Sequence, residues 1–225
     1  LSGIFSFTKT GAGTLTLSAA STYSAFVTTL AEGTLRLGAS NVIPDTARIF
    51  FTGSSAGGAT FDLAGYSETI RGLHSQYDVV NRTVTLGSGH LTTLNTGVEN
   101  FYGTISGTGS YTKTGSGTQT FFNANTYTGG TTISAGTLKL SDFRNLDDPI
   151  IIGSVVGDIV NNTTLQFHRT HLPNTWGGTI SGTGAVTVTG TQVQTLTGNH
   201  TYTGTTTISS TGSGGLQIGD GGTSA

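Results

Sequence analysis

The chain of 225 residues has no cysteine and no methionine, only three prolines, and a charged fraction of 9%. Each shortage excludes something. Without cysteine there are no disulfides, no thiolate metal sites and no thiol nucleophile. Without methionine there is no initiator, as expected of a fragment or a processed product whose export signal was removed or lies outside it. Few charges, 36 glycines and a threonine content of about a fifth deprive helices of the Ala, Glu, Lys and Leu they are usually built from, so long helices are not expected. Nine basic residues scattered singly, within a net charge of −2, offer no positive stripe for a row of phosphates, and nucleic acid is not an expected partner. The longest apolar runs, such as Ile150-Ile151-Ile152 and Ile49-Phe50-Phe51, fall far short of the ~20 residues a helix needs to cross a bilayer, so no membrane-spanning segment is expected.

What is present is periodic. Hydrophobic residues make up 34% and aromatics 8%, and the large apolar ones recur at regular positions, which with so small a net charge separates the chain from disordered sequences. One phrase returns three times: Phe7-Thr-Lys-Thr-Gly-Ala-Gly-Thr-Leu-Thr-Leu17, Tyr111-Thr-Lys-Thr-Gly-Ser-Gly-Thr-Gln-Thr-Phe121, and the weaker Val186-Thr-Val-Thr-Gly-Thr-Gln-Val-Gln-Thr-Leu196. The second copy starts 104 residues after the first and the third 75 after the second. A second shared phrase follows each, at Ser21-Thr-Tyr23, Asn125-Thr-Tyr127 and His200-Thr-Tyr202. A third closes the unit at Gly33-Thr-Leu-Arg-Leu37, Gly136-Thr-Leu-Lys-Leu140 and the shortened Gly215-Leu-Gln-Ile218. The chain therefore reads as one segment, 1–225, with repeat units at about 1–40, 101–140 and 176–221 and spacers at 41–100 and 141–175. Both spacers hold short alternating runs, Ala59-Thr-Phe-Asp-Leu63 and Thr163-Thr-Leu-Gln-Phe167, and lead into Gly-Thr-Ile-Ser-Gly-Thr-Gly at 103–109 and 178–184. Leu1 aligns with Ile105, so the chain is expected to open in the middle of a unit.

Alternation such as Thr14-Leu15-Thr16-Leu17 puts leucines on one face of a strand and threonines on the other. The strands are short and separated by Gly, Asn, Ser and Asp, and two-residue hairpin signals scarcely occur between them. Short strands without helical crossovers bury a continuous core by coiling, with equivalent strands stacked in parallel. The expected fold is all-β, a right-handed parallel β-helix of about ten coils, a rod on the order of 45–50 Å long. Gln119 and Gln194 take the position of the inward Leu15, so each needs hydrogen-bond partners or a local change of register.

Three stretches carry a family resemblance: Lys113-Thr-Gly-Ser-Gly-Thr, Asn125-Thr-Tyr-Thr-Gly-Gly-Thr-Thr-Ile133 and Ala135-Gly-Thr-Leu138 resemble the passenger-associated transport repeats of bacterial autotransporters. The first spacer, from Leu37-Gly-Ala-Ser-Asn-Val-Ile-Pro-Asp45 through Leu63-Ala-Gly-Tyr-Ser-Glu-Thr-Ile70, is similar to the stretch between such repeats in that family. The resemblance implies a β-helical passenger, displayed on or released from the surface of a bacterial cell, with no active site to carry over.

Several residues invite a chemical reading. The acid-rich stretch from Asp142 to Asp158, with Asp147 and Asp148 adjacent and Pro149 following, reads as a solvated turn, since neighbours on a strand point to opposite faces. His168 and His171 flank Arg169 without a carboxylate beside them and read as a surface loop, as do the isolated His74, His90 and His200. Gly11-Ala-Gly13 and Gly115-Ser-Gly117 read as turns, and Gly219-Asp-Gly-Gly222 recurs too little for a calcium array. Thr14/Thr16, Thr187/Thr189 and Thr205/Thr207 read as ordinary outward strand positions, and Trp176, Phe101 and Tyr102 as packing at coil corners. No catalytic residue, metal site or cofactor is assigned, and the ligand-binding residues are unknown from sequence. The expected function is a structural or adhesive, non-catalytic module of a surface or secreted protein. Its expected partners are flanking coils of the same chain or stacked copies, with host or environmental glycans or proteins as further candidates. A β-helical carbohydrate-active enzyme or glycan-binding fragment is the alternative, and an ice-binding threonine plane a third.

Overall fold

In the computed structural model, which describes residues 2–3, 6–23, 26–52, 57–76, 81–143 and 150–219, the alternating segments form strands that pair almost entirely in parallel. No helix occurs among the described residues, so none is long and apolar enough to cross a membrane. The chain winds as a β-solenoid of about nine turns with three walls.

One wall can be followed through ten strands. Phe7–Lys9, Val27–Leu30, Arg48–Phe51 and Leu73–Ser75 form one ladder. Val98–Phe101, Thr118–Phe121, Thr137–Phe143, Thr164–Arg169, Ala185–Gly190 and Thr206–Ser210 form the next. Ten layers enclose nine full turns, close to the expected ten coils. Inside this wall Leu30 lies opposite Phe51, and Phe101, Phe121, Leu140, Phe167 and Val188 stack in register. Removing such columns from water is the main stabilising term, at roughly 1.5–3 kcal/mol per large apolar side chain. Lys9 and Val188 lie on this wall eight layers apart, 179 residues in sequence, or about 22 residues per turn.

The repeat acquires a physical meaning here, because each unit pairs with itself. In the first, Phe7–Lys9 pairs with Val27–Leu30, and Thr14–Leu17 with Gly33–Leu37. In the second, Ser110–Lys113 pairs with Thr131–Ile133, and Thr118–Phe121 with Thr137–Phe143. In the third, Ala185–Gly190 pairs with Thr206–Ser210, and Val193–Leu196 with Gly215–Ile218. The register is common to all three: Lys9 faces Leu30, Lys113 faces Ile133 and Val188 faces Ile208. Neither interval between copies is a whole number of turns, so the first and third units start on the wall just described and the second starts one wall earlier.

The motif residues lock this double layer. Lys9 Nζ donates to Thr10 O, Gly11 O and Glu32 O at 2.9, 2.5 and 3.1 Å. Lys113 Nζ likewise donates to Thr114 O, Gly115 O and Ala135 O. The lysine thus ties the Gly-x-Gly corner of one layer to the corner of the next, while burial lowers the Lys113 pKa to about 8. Directly against that corner sit Gly33 and Gly136, both at positive φ, where a Cβ would run into the carbonyl oxygens of Gly11 and Gly13, or of Gly115 and Gly117. The repeat tyrosine adds a third tie: Tyr23, Tyr127 and Tyr202 each bond a threonine hydroxyl of the next strand, Thr28, Thr131 and Thr206.

Among the described residues two departures from regular winding bear on the polar sites below. Asp142 and Phe143 pair antiparallel with Ile152 and Ile151, a local reversal beside the acid-rich stretch. Between Leu73–Ser75 and Val98–Phe101 the wall stays in contact without a ladder. The alignment of Leu1 with Ile105 falls outside the described residues.

Candidate functional site

The break in the wall is where polar side chains converge. Glu99 alternates in phase with the core residue Phe101, yet its carboxylate meets outward groups: Oε2 lies 3.0 Å from His74 Nδ1 and 3.5 Å from Arg48 NH1. Gly72 permits this, since a Cβ there would touch Glu99 Cγ at 2.9 Å. Gln119 closes the gap from inside by accepting from Leu73 N at 3.1 Å and donating to Leu73 O and Glu99 O at 2.9 and 3.2 Å. Its amide stands in for missing ladder bonds, and Gln119 keeps its register opposite Glu99 and Leu138. On the outer surface the Arg48 guanidinium lies over the Phe50 ring, and Phe50 meets His74 edge-on.

Beside this cluster the corners of successive turns enclose a groove of about 420 Å³ lined by Phe26, Asp45, Thr46, Arg71, Leu94 and Thr96. Backbone bonds fix its walls: Arg48 N donates to Phe26 O, Arg71 N to Ala47 O and Leu94 N to Arg71 O. Glu68, buried on the neighbouring wall, holds the turn just before the groove by accepting from Val42 N and Ile43 N at 2.9 and 3.3 Å and from Thr69 N at 3.2 Å. Burial outweighs those bonds and, with Asp45 nearby, raises the Glu68 pKa to about 7.

The second polar centre replaces the solvated turn and surface loop expected at Asp142 and at His168–His171. Asp142 is buried and accepts from Thr170 N, Thr170 Oγ1, His171 N and Leu172 N at 2.7 to 3.3 Å. Burial alone would raise its pKa, but these donors hold the carboxyl below its ordinary value. His168 and Arg169 lie in the strand Thr164–Arg169, where alternation sends Leu165, Phe167 and Arg169 inward. The Arg169 guanidinium is wholly buried and donates to Gln194 Oε1, Leu140 O and Gly153 O at 2.9, 3.1 and 2.9 Å. Burial lowers its pKa to about 10, against the pull of Asp142. Gln194 thereby acquires its partner without a shift of register. His168 is half-buried on the outside, bonded to Thr189 Oγ1 at 2.8 Å, and only His171 is on the exposed turn. Asp158 does sit in an exposed stretch, accepting from Thr179 N at 2.8 Å. Asp147, Asp148 and Pro149 lie outside the described residues.

The remaining candidates are distributed. His74 and His90 are in strands, not loops, His90 bonded to Ser110 Oγ at 2.6 Å, and His200 stacks on Trp176 at 6.1 Å. Phe101 and Trp176 are core, whereas Tyr102 stacks on Phe122 at 4.2 Å with Phe143 edge-on to both. Gly11 and Gly115 make positive-φ turns as expected. The threonine pairs occupy two walls and form no single plane, and most of Gly219-Asp-Gly-Gly222 is outside the described residues. Among the described residues no group of three or more His, Cys, Asp and Glu side chains could hold a metal ion.

A family model of the passenger-associated-transport-repeat matches residues 7–37, 112–140 and 186–218. No curated protein and no solved structure shows a significant match. The matched stretches coincide with the three self-paired double layers, including the third, which has lost the lysine and the full closing Gly-Thr-Leu.

Proposed function

From a chain that carries three passenger-associated-transport repeats wound into one parallel solenoid, we propose a structural and adhesive, non-catalytic segment of an autotransporter-type passenger at the bacterial surface. The repeats and the fold fit a passenger module. The observation that carries the reading is the self-pairing of each repeat in a single register on whichever wall it falls. A chain emerging through a pore gains from units that close their own ladders locally, because contacts close in sequence carry the smallest loop-closure cost. Its partners on this reading are further coils of the solenoid and surface glycans or proteins. The main carboxylates are engaged in the scaffold: Glu68 and Asp142 on backbone N–H groups, Glu99 on Arg48, and Asp62 on Ala64 N and Arg36.

The test is to place residues 1–225 as passenger ahead of an outer-membrane β-barrel in a Gram-negative host and follow surface exposure and protease resistance. The expected result is a folded, surface-exposed segment, with Lys113→Met and Gly136→Val delaying its appearance. Retention inside the cell, or export indifferent to both substitutions, overturns the proposal.

A further inference from the structure

We infer that the groove lined by Phe26, Asp45, Thr46, Arg71, Leu94 and Thr96 is a binding site for an acidic sugar, a saccharide bearing a carboxylate. This rests on the adhesive reading and deepens it by naming a ligand class and a place. Two arginines, Arg48 and Arg71, lie on this patch. Arg48 is neutralised by Glu99 and covered by its own contact with Phe50. Arg71, half-buried in the groove, makes no ion pair and donates no side-chain hydrogen bond among the described residues, and Asp45, which also lines the groove, does not pair with it. A guanidinium held partly out of water with its fork unmatched is a ready partner for a carboxylate, which it binds through two parallel N–H bonds.

Phe26 supplies the second element. It is 64% exposed on the groove rim, in a protein whose other phenylalanines are mostly packed inward or against one another. An aromatic face beside polar groups suits a pyranose ring, which offers a C–H face to the ring and hydroxyls around its edge. Asp45, Thr46 and Thr96 stand in the same groove as acceptors and donors for those hydroxyls, with Leu94 as apolar floor. The volume of about 420 Å³ lies at the small end of ligand pockets, which run roughly 300–1,000 Å³ and suit one or two sugar rings at this end. The walls are set by backbone hydrogen bonds between consecutive turns, so the site exists before any ligand arrives.

The test uses the whole 225-residue chain, with sialyllactose and trigalacturonate as acidic probes and lactose and galactotriose as neutral ones, measured by isothermal titration and ligand-observed NMR. The acidic probes are expected to bind with dissociation constants of about 1 mM or tighter, Arg71→Gln to weaken them about tenfold, and Phe26→Ala to weaken them about three- to tenfold. Lys139→Gln, which removes a cation from the outer surface away from the groove, is expected to change nothing; circular dichroism and hydrogen exchange over residues 26–101 confirm that each variant is folded around the groove. The inference is overturned if neither acidic probe binds, if neutral probes bind equally, or if folded Arg71→Gln binds as well as the parent chain. Adhesion of chain-coated beads to glycan-bearing cells separates the two readings. Adhesion that survives Arg71→Gln sinks the groove and spares the adhesive function, whereas Arg71-dependent probe binding without bead adhesion does the reverse.

Discussion

Replacing Gly136 by alanine isolates what the repeat signature does. Its φ of +67° places it in the left-handed region, where an L side chain costs about 1–2 kcal/mol. A Cβ there would also lie closer than 3 Å to the carbonyl oxygens of Gly115 and Gly117 in the layer it packs against, and neither can retreat freely. Gly117 O accepts from Thr137 N at 3.0 Å, and Gly115 O is held by Lys113. Forcing the two corners apart adds an overpacking cost of about 1–3 kcal/mol, so the total expected loss is about 2–5 kcal/mol. Two controls divide this sum. Gly212 has φ +66° and no atom within 4 Å of its Cβ position, so Gly212→Ala should lose only the backbone part, about 1–2 kcal/mol. Gly13 has neither positive φ nor a near atom, and Gly13→Ala should lie within about 0.5 kcal/mol of the parent, on the stabilising side. Urea unfolding followed by circular dichroism gives the order. Trp176, the single tryptophan and nearly buried, reports on the later turns, and hydrogen exchange over 110–143 localises the damage. Equal losses for Gly136→Ala and Gly212→Ala would refute the stacked-corner account, and a costly Gly13→Ala would refute the accounting as a whole.

Three further outcomes are expected. Glu68 has its folded pKa raised from 4.5 to about 7, so the stability it contributes is complete below about pH 4.5 and disappears as pH rises through about 7. Half-buried His90, His168 and His200, with lowered values, push the other way in part of that window. The readout is therefore the difference between parent and Glu68→Gln in chemical denaturation from pH 4 to 8, expected to change by about 2–3 kcal/mol; parallel curves would contradict it. Arg169→Met should cost about 3 kcal/mol by leaving Gln194 Oε1 and two carbonyls unmatched, while Arg169→Met with Gln194→Leu should cost less than the sum of the single changes by at least about 1 kcal/mol in a double-mutant cycle. Lys113→Met should lose about 2–3 kcal/mol in thermal or urea unfolding because three corner carbonyls lose their donor, and an unchanged midpoint would show that the lysine is incidental.

Much of the architecture was legible because it rests on period two and on a repeated phrase. Thr14-Leu15-Thr16-Leu17 became a strand with Leu17 inward, and the alternating runs at Ala59 and Thr164 became strands as well. What alternation did not disclose was that charge can obey it. Arg169 is in phase with Leu165 and Phe167, Glu99 with Phe101 and Glu68 with Ile70, and each is buried. The expectation that charged residues stay outside concealed a pattern that the spacing already contained. Compensation made burial tolerable: a guanidinium on carbonyls, a carboxylate on backbone N–H groups, and a carboxylate reaching through a gap opened by Gly72. Asp142 and Thr170 are far apart in sequence and meet because one turn separates them, a distance set by spacer length and not by any local signal. The groove is harder still, since Phe26, Asp45, Arg71 and Leu94 come from corners of successive turns and share no motif.

The division of labour between repeats and spacers follows from these positions. A unit that pairs with itself demands only that its two layers be about 20 residues apart, as Lys9 is opposite Leu30 and Lys113 opposite Ile133. It imposes no condition on how many residues lie before the next unit, so intervals of 104 and 75 residues are both compatible with one continuous rod. The cost of that freedom is rotation: the same motif faces a different wall in the second copy, and no surface can be built by lining up repeats. On the proposed reading most of the groove comes from a stretch the repeat leaves unconstrained: Asp45, Thr46, Arg71, Leu94 and Thr96 lie in the first spacer, and Phe26 comes from the corner of the first repeat unit. Arg48, Arg71, His74 and Glu99 lie in the first spacer and Arg169 and His171 in the second, while the first two repeat units use their lysines, and all three their tyrosines, to lock one layer to the next. In a solenoid of this kind specificity can change by substitution in a spacer without disturbing a single ladder of the repeats on either side.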